Sequence, residues 1–204
     1  MRFAFGGMGI DAAVLNDYHR LQQALPGGRL TRALHSVGGY FAAAFGMTIP
    51  RYMRRRMLGR TLEARVTNLG ATAYSIAAEE THVGRVDRVF APGEVLYEGP
   101  INTAAFGTCP YYGYGMKVLP YAGFERNRFH LRLSDVPLGR LVRSLGKVWR
   151  GKLKHPQLHD FQVARVRLEF NAPVPLQIAG EAMGERTELT IGMGQERVDL
   201  VRFI

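Results

Sequence analysis

A carboxylate at the end of a predicted strand is the residue whose type and position best suit catalysis in this sequence. Glu181 follows Leu176-Gln177-Ile178-Ala179-Gly180, an apolar strand that ends in a glycine turn. A carboxylate that is held in a pocket can act as a general base toward a hydroxyl group. Without a pocket Glu181 is an ordinary exposed turn residue, and the sequence alone leaves both interpretations open.

A glycine-rich segment near the start could bind phosphate. Gly6-Gly7-Met8-Gly9 is predicted to follow a short strand over residues 2–5 and to precede a helix that begins at Ile10. Backbone N–H groups at a helix N-terminus can bind phosphate, which makes this segment a candidate cofactor contact. It matches neither a P-loop nor a dinucleotide fingerprint, so a tight strand-to-helix turn without a ligand is the simpler interpretation.

A third candidate is the turn Tyr112-Gly113-Tyr114-Gly115. It leads into an irregular loop that contains Pro120, and then into residues 129–133, whose alternation of apolar and polar side chains predicts a half-buried strand. Binding sites are often built from structured loops between strands of a rigid scaffold. The alternative is a wide hairpin with no chemistry.

The elements that must position these residues are predicted to be helices first and strands afterwards. Helices are predicted over about residues 10–25, 31–45 and 138–153, with Pro50 breaking or kinking the second. Strands are predicted over residues 62–66, its hairpin partner 73–78, 101–109, 129–133, 161–170, 176–178, 187–191 and 198–203. This order predicts an α+β fold, an antiparallel β-sandwich with peripheral helices. We expect one β-rich domain over residues 1–204.

The composition favours polyanionic partners. The net charge is +10, from 27 Lys and Arg against 17 Asp and Glu, which suits anionic membrane, nucleic acid or nucleotide phosphate without choosing among them. Cys109 is the only cysteine, so a reducing, cytoplasmic compartment fits best. No secretory signal or bilayer-spanning run is evident, which predicts a soluble or peripherally membrane-bound protein.

Two basic segments could contact a membrane. The first contains Arg51, Arg54, Arg55, Arg56 and Arg60, and the second contains Arg140, Arg143, Lys147, Arg150, Lys152 and Lys154. The second has Trp149 on the predicted apolar face of its helix, an arrangement that suits docking on anionic lipid. The alternative for each segment is a solvated polar face whose apolar side belongs to the core.

Several of these segments, in this order, resemble the diacylglycerol kinase-like lipid kinases, which include sphingosine and ceramide kinases and their bacterial relatives. Residues 3–13 are similar to the segment that enters the family's C-terminal domain. Residues 112–122 resemble its glycine-rich turn and Pro-x-Ala loop, and residues 129–133 resemble the strand after them. Residues 176–181 are similar to its Gln-x-Asp-Gly-Glu signature.

The resemblance implies ATP-dependent phosphoryl transfer to the hydroxyl group of a diacylglycerol- or sphingoid-type lipid. The family has an N-terminal ATP-binding domain with a Gly-Gly-Asp-Gly-Thr motif and a β-rich C-terminal domain with the acidic catalytic residue. This sequence lacks that motif, so we expect the C-terminal domain alone, inactive until an ATP-binding domain supplies ATP and Mg²⁺. The expected partners are the lipid substrate, an anionic membrane surface and that ATP-binding domain, with no nucleic acid.

The same resemblance implies a role for each matching residue. Glu181 becomes the candidate general base on the lipid hydroxyl, and Asp11 is expected to face the cleft between the two domains. The other implied contacts are the cofactor contacts Gly7 and Gly9 and the substrate contacts Tyr112, Gly113 and Gly115.

The sequence departs from the family pattern at two places. Ala179 stands where the signature has Asp, and Arg126 and Asn127 stand where the family has an Asp-Gly pair that helps to hold a structural magnesium ion. An arginine cannot ligate a cation, so we predict that this metal site is lost unless Glu125 substitutes. These departures favour an alternative function, a noncatalytic lipid- or membrane-binding module.

Overall fold

The structure is a computed structural model that describes residues 2–24, 44–59, 61–78 and 84–194. Within these residues ten antiparallel strands form one sheet, accompanied by a few short helices, which confirms the predicted α+β class. The predicted strand over residues 198–203 and most of the predicted helix over residues 31–45 lie outside the described residues.

The first eight strands along the chain are short, and the last two form one long hairpin. Their bounds are β1 Phe5–Gly9, β2 Glu63–Asn68, β3 Ala73–Ala78, β4 Gly84–Phe90, β5 Val95–Pro100, β6 Thr103–Gly107, β7 Phe129–Ser134, β8 Leu158–Val163, β9 Arg165–Ile178 and β10 Glu181–Gly192. Their order across the sheet is β4-β3-β8-β7-β6-β1-β9-β2-β5, and β10 pairs with β9 off this path.

The sheet bends back on itself around a single core. Strands β4 and β5 stand at opposite ends of the strand order, yet they are joined by the short connection of residues 91–94. The core draws apolar side chains from both ends and from the centre, among them Phe90 of β4, Leu96 of β5, Phe106 of β6 and Met8 of β1. Burial of this shared apolar surface is the main stabilising contribution to the fold.

The predicted hairpin between residues 62–66 and 73–78 is wrong. Strand β2 pairs with β5 and β9, whereas β3 pairs with β4 and β8. The side chain of Asn68 stabilises the connection between β2 and β3, since its Nδ2 atom donates to the carbonyl oxygens of Ala71 and Ala91 at 2.9 and 3.0 Å. These bonds join the β2–β3 connection to the β4–β5 connection, so residues 69–72 do not form a hairpin turn.

The predicted strand over residues 161–170 is two strands, β8 and β9, separated at Ala164. In the sequence, Ala164 interrupts the alternation of apolar and polar side chains, since it directly follows Val163. The corner is tied to two other segments, because Leu69 N–H donates to Arg165 O and Met193 N–H donates to Ala164 O, both at 2.9 Å. Strand β9 then continues through the predicted separate strand over residues 176–178.

The helices lie at the periphery, as predicted, but their bounds differ. They are α1 Ile10–Ala24, α2 Ile49–Met57, α3 Leu138–Arg143 and α4 Leu145–Trp149, and a π-helical turn, Ala44–Thr48, precedes α2. The predicted helix over residues 138–153 is therefore two short helices separated at Ser144. Pro50 lies in the first turn of α2, where its missing N–H is tolerated, and does not break the helix. In the part of the chain that the structure describes, no helix has both the length and the apolar character needed to cross a bilayer.

Candidate functional site

The glycine-rich segment is the central strand β1, which corrects the predicted turn after residue 5. Gly6 and Gly7 pair with β6 on one side and with β9 on the other. The strand passes directly into α1 at Gly9, whose φ of +94° is a backbone conformation that favours glycine. Ile10 N–H donates to Asn102 O at 3.0 Å and fixes this junction.

Glycine is needed at these positions because other groups occupy the side-chain space. A Cβ atom at Gly6 would lie 2.6 Å from the Phe106 ring, and one at Gly7 would lie 1.8 Å from Asp11 Oδ2. Gly7 therefore allows the first turn of α1 to place the Asp11 carboxylate against the strand. Phosphate contact by Gly7 and Gly9 stays a prediction.

The Asp11 carboxylate lies in an environment that disfavours its charge. Gln177 Nε2 donates to Oδ2 at 3.4 Å, whereas Oδ1 is buried and has no hydrogen-bond partner among the described residues. Burial raises the pKa of Asp11 to about 7, although the backbone N–H of Ala12 and the Gln177 side chain both act to lower it. Asp11 can therefore both hold and release a proton near neutral pH.

Gln177 connects Asp11 to the β9–β10 turn. Its Oε1 atom accepts a hydrogen bond from Gly180 N–H at 3.0 Å, while its Nε2 atom contacts Asp11. The turn itself has positive φ at both central residues, +52° at Ala179 and +88° at Gly180, as in a type I′ hairpin. Ala179, which replaces the Asp of the family signature, thus occupies a backbone conformation that Asn, Asp or Gly adopts more easily.

The structure does not bring Glu181 into this hydrogen-bond network. Glu181 is exposed and lies opposite Ile178, which in turn lies opposite Gly6. Gln177 lies opposite Gly7, so Gln177 and Asp11 belong to the other face of the sheet. The network from Asp11 ends at Gly180, one residue before Glu181, and the catalytic role of Glu181 stays a prediction.

The tyrosine–glycine turn reaches the same strand. The Tyr112 hydroxyl donates to Gly6 O at 2.5 Å, and its ring packs against Phe5 with centroids 4.7 Å apart. Residues Gly113–Gly115 form a 3₁₀ turn, in which Gly113 and Gly115 are exposed and Gly115 has a φ of +75°. The structure therefore places Tyr112 beside β1, and substrate contact by this turn stays a prediction.

A buried polar cluster anchors the loop that follows this turn. Asp160 Oδ1 accepts hydrogen bonds from Arg132 Nε and His130 Nε2, both at 2.7 Å, and Oδ2 accepts one from an Arg132 terminal nitrogen at 2.9 Å. Arg132 also donates to Val118 O at 2.9 Å, and Gln162 donates to Tyr121 O at 2.7 Å. The cluster thereby fixes the backbone between the turn and β7.

The Asp160 carboxylate is charged because of its partners. Although burial opposes ionisation, Arg132 and His130 hold the pKa of Asp160 well below its usual range. Burial lowers the pKa of His130. The sequence does not reveal this cluster, because residues 129–133 alternate like a half-buried strand, whereas all six residues of β7 are buried.

The loop of residues 125–128 does not suit a divalent cation. The Glu125 carboxylate is paired with Arg128 Nε at 2.7 Å, and Arg126 offers no oxygen ligand from its side chain. The Arg128 guanidinium also lies over the Tyr74 ring, 4.5 Å from its centroid. Over the described ranges, no group of three or more His, Cys, Asp or Glu side chains is arranged to hold a metal ion.

Comparisons with known proteins give structural neighbours only. A candidate diacylglycerol kinase from Bacillus anthracis aligns with a TM-score of 0.43 and 13% identity over 93% of this chain and 50% of its own. A second structure described in the same way has a TM-score of 0.43 and 10% sequence identity. A diacylglycerol kinase structure from the same organism has a TM-score of 0.38 and 9% sequence identity. The chain spans about half the length of these neighbours. No family model and no curated protein matches.

Proposed function

We propose that this chain is the C-terminal domain of a diacylglycerol kinase-like lipid kinase. A separate ATP-binding domain would hold ATP and Mg²⁺, which supply the phosphoryl group. This chain would hold the hydroxyl group of a diacylglycerol- or sphingoid-type lipid. The observation that supports the proposal most is the proton affinity of Asp11, the buried carboxylate that the motif resemblance assigns to the cleft.

Asp11 has the properties of a general base. A base is most effective when its pKa lies close to the working pH, and burial brings the pKa of Asp11 to about 7. Its Oδ1 atom receives no hydrogen bond from the described residues, so no donor there competes with a proton for this oxygen. The lipid oxygen would form a bond to the γ-phosphorus atom while its proton passes to Asp11, and ADP would leave with the electrons of the broken P–O bond.

Gln177 and Tyr112 would position this site. Gln177 holds Asp11 Oδ2 and the Gly180 N–H together, and Tyr112 holds the carbonyl group of Gly6. Glu181, at the tip of the same hairpin, is the base that the motif resemblance assigns. We therefore propose Asp11 and Glu181 as two acidic residues whose contributions mutation can separate.

Phosphate transfer by a fusion protein tests the proposal. An ATP-binding domain from a lipid kinase is joined ahead of this chain, and transfer from ATP to dispersed diacylglycerol and sphingosine is measured. We expect activity above the isolated ATP-binding domain, and a loss of about 100-fold or more in kcat in Asp11→Asn, as is usual for removal of a general base. The control variant Asp87→Asn changes an exposed carboxylate on β4.

The same assay decides the role of Glu181. A loss in Glu181→Gln but not in Glu185→Gln, which changes an exposed carboxylate on the same strand, would support it as a second acidic residue. Unchanged rates in both Asp11→Asn and Glu181→Gln would contradict the proposed chemistry. Absence of transfer by the unmodified fusion would contradict the kinase proposal itself.

A second candidate function is a noncatalytic lipid- or membrane-binding module. It is favoured by Ala179, which removes the Asp of the signature, and by the arginine-rich loop around Glu125. A fusion that binds lipid vesicles but transfers no phosphate would favour this candidate.

A further inference from the structure

Helix α2 presents apolar side chains to solvent next to positive charge. Met53 is 50% exposed, Met57 is 85% exposed, and Leu58, just after the helix, is 62% exposed. Met53 and Met57 are four residues apart, so they lie on one side of the helix. Large apolar side chains that are grouped on a surface in this way usually mark an interaction site.

The opposite side of α2 is fixed to the protein. Arg51 donates to Asp17 Oδ2 at 2.8 Å, and Thr48 Oγ1, in the preceding turn, donates to the same atom at 2.6 Å. Tyr52 lines a cavity of about 380 Å³ together with Leu62 and other residues. Because these contacts orient the helix, Met53 and Met57 project outward from an attached element.

The positive charge of α2 favours an anionic partner. Helix α2 contains no Asp or Glu and four arginines, Arg51, Arg54, Arg55 and Arg56, of which Arg51 is paired with Asp17. Arg54 is exposed on α2 itself. An amphipathic element that combines cations with exposed apolar side chains suits the headgroup region of an anionic membrane, where both components contribute.

The second basic segment lacks the apolar component. Helices α3 and α4 carry Arg140, Arg143 and Lys147, all exposed. Their larger apolar side chains, Leu141, Val142, Leu145, Val148 and Trp149, are each only partly exposed and are absent from the strongly exposed apolar residues. This segment can attract an anionic surface but offers little to insert into it.

We propose that α2 is the membrane-docking element of this protein, with Met53, Met57 and Leu58 entering the acyl boundary of an anionic bilayer and Arg54 contacting its headgroups. This inference names the surface for the membrane partner of the proposed function. It does not depend on phosphate transfer, since an inactive chain would dock in the same way.

Vesicle co-sedimentation of the full chain tests the inference. The probes are phosphatidylcholine vesicles and phosphatidylcholine vesicles with about 30% phosphatidylserine. We expect the chain to bind only the anionic vesicles. The double variant Met53→Ser/Met57→Ser should lower the partition coefficient about tenfold or more, because the inserted apolar area is lost. The control Val89→Ser changes a side chain that is 56% exposed on β4 and should bind as the unmodified chain does.

A matched pair of charge variants separates the two basic segments. Arg54→Ser should weaken binding about fivefold, the effect of one cation close to an anionic surface, while Arg140→Ser should change it less than about twofold. Circular dichroism and thermal melting verify that each variant is folded. Three results would each overturn the inference: no binding to anionic vesicles, unchanged binding of the methionine variant, or equal losses in Arg54→Ser and Arg140→Ser.

Discussion

Asp11 and Asp160 are both buried carboxylates, but their surroundings shift their pKa values in opposite directions. Asp160 has two cationic or proton-donating neighbours, Arg132 and His130, that hold its pKa well below the usual range. Among the described residues, Asp11 has no cationic partner but the Gln177 amide and backbone N–H groups, and burial raises its pKa to about 7. Asp160 therefore stays ionised and stabilises the fold, whereas Asp11 can bind or release a proton near neutral pH.

The largest expected effect comes from removing the charge of Asp160. Asp160→Asn leaves the buried guanidinium of Arg132 without its counter-ion, which should lower the free energy of unfolding by about 3–5 kcal/mol. Urea unfolding at neutral pH measures this loss. The control Glu188→Gln removes an exposed pair with Arg167, 3.4 Å apart, and should cost less than about 1 kcal/mol. Equal effects in the two variants would show that the Asp160 cluster does not stabilise the fold as described.

Asp11→Asn should have an effect that depends on pH. The folded pKa of Asp11 lies above its unfolded value, so its contribution is fully present below about pH 4 and is lost as the pH rises to about 7. Relative to Asp11→Asn, the unmodified protein should therefore lose on the order of 4 kcal/mol of unfolding free energy between these pH values. Urea unfolding of both proteins across this range measures the difference, and a constant difference would contradict the assignment.

The opposite pH dependence is expected at the Asp160 cluster. The folded pKa of Asp160 lies below its unfolded value, so its stabilisation is present above about pH 4 and is lost as the pH falls further. Comparison with Asp160→Asn in the same unfolding series measures this slope.

Gly7→Ala should disturb Asp11 without touching Asp160. The added methyl group would overlap Asp11 Oδ2, and displacement of the carboxylate should cost about 1–3 kcal/mol of unfolding free energy. Urea unfolding measures the cost. Gly113→Ala is the control, because a Cβ atom there meets no other atom within 4 Å. Equal stability of Gly7→Ala and Gly113→Ala would show that the Asp11 carboxylate does not pack against β1 as described.

The smallest expected effect is at the turn next to the Asp11 network. Ala179→Asn places a residue that tolerates positive φ at the first position of the type I′ turn, and should raise the unfolding free energy by about 0.5–1 kcal/mol. Thermal melting measures the gain. Ala182→Asn, on the exposed part of β10, is the control and should give no increase.

Local patterns in the sequence predicted the fold class better than the pairing of its strands. Alternation located β2 and β7, but it predicted a single strand over residues 161–170, where the structure has two strands separated at Ala164. The partners of β2 could not be found in this way, because β2 pairs with the distant strands β5 and β9 and the next strand, β3, pairs with β4 and β8. The burial of His130 and Arg132 could not be predicted from alternation either, because it depends on their partner Asp160, which lies about 30 residues away.

The candidate site was only partly visible in the sequence. Motif resemblance drew attention to Asp11, Tyr112 and Glu181, but it could not give the environment of any of them. The proton affinity of Asp11 depends on burial and on Gln177, which is 166 residues away. The glycines beside it suggested a phosphate-binding turn, whereas in the structure the missing side chain of Gly7 makes room for the Asp11 carboxylate.

The most direct test of the contrast between the two carboxylates is a ¹³C NMR titration of the aspartate side chains in the intact chain, with Asp11→Asn and Asp160→Asn used to assign the two resonances. We predict that the Asp11 carboxyl carbon titrates with a pKa of about 7 and that the Asp160 resonance stays in its ionised position down to the lowest pH at which the protein is folded. A titration of Asp11 near pH 4, close to that of an ordinary exposed aspartate, would contradict the account.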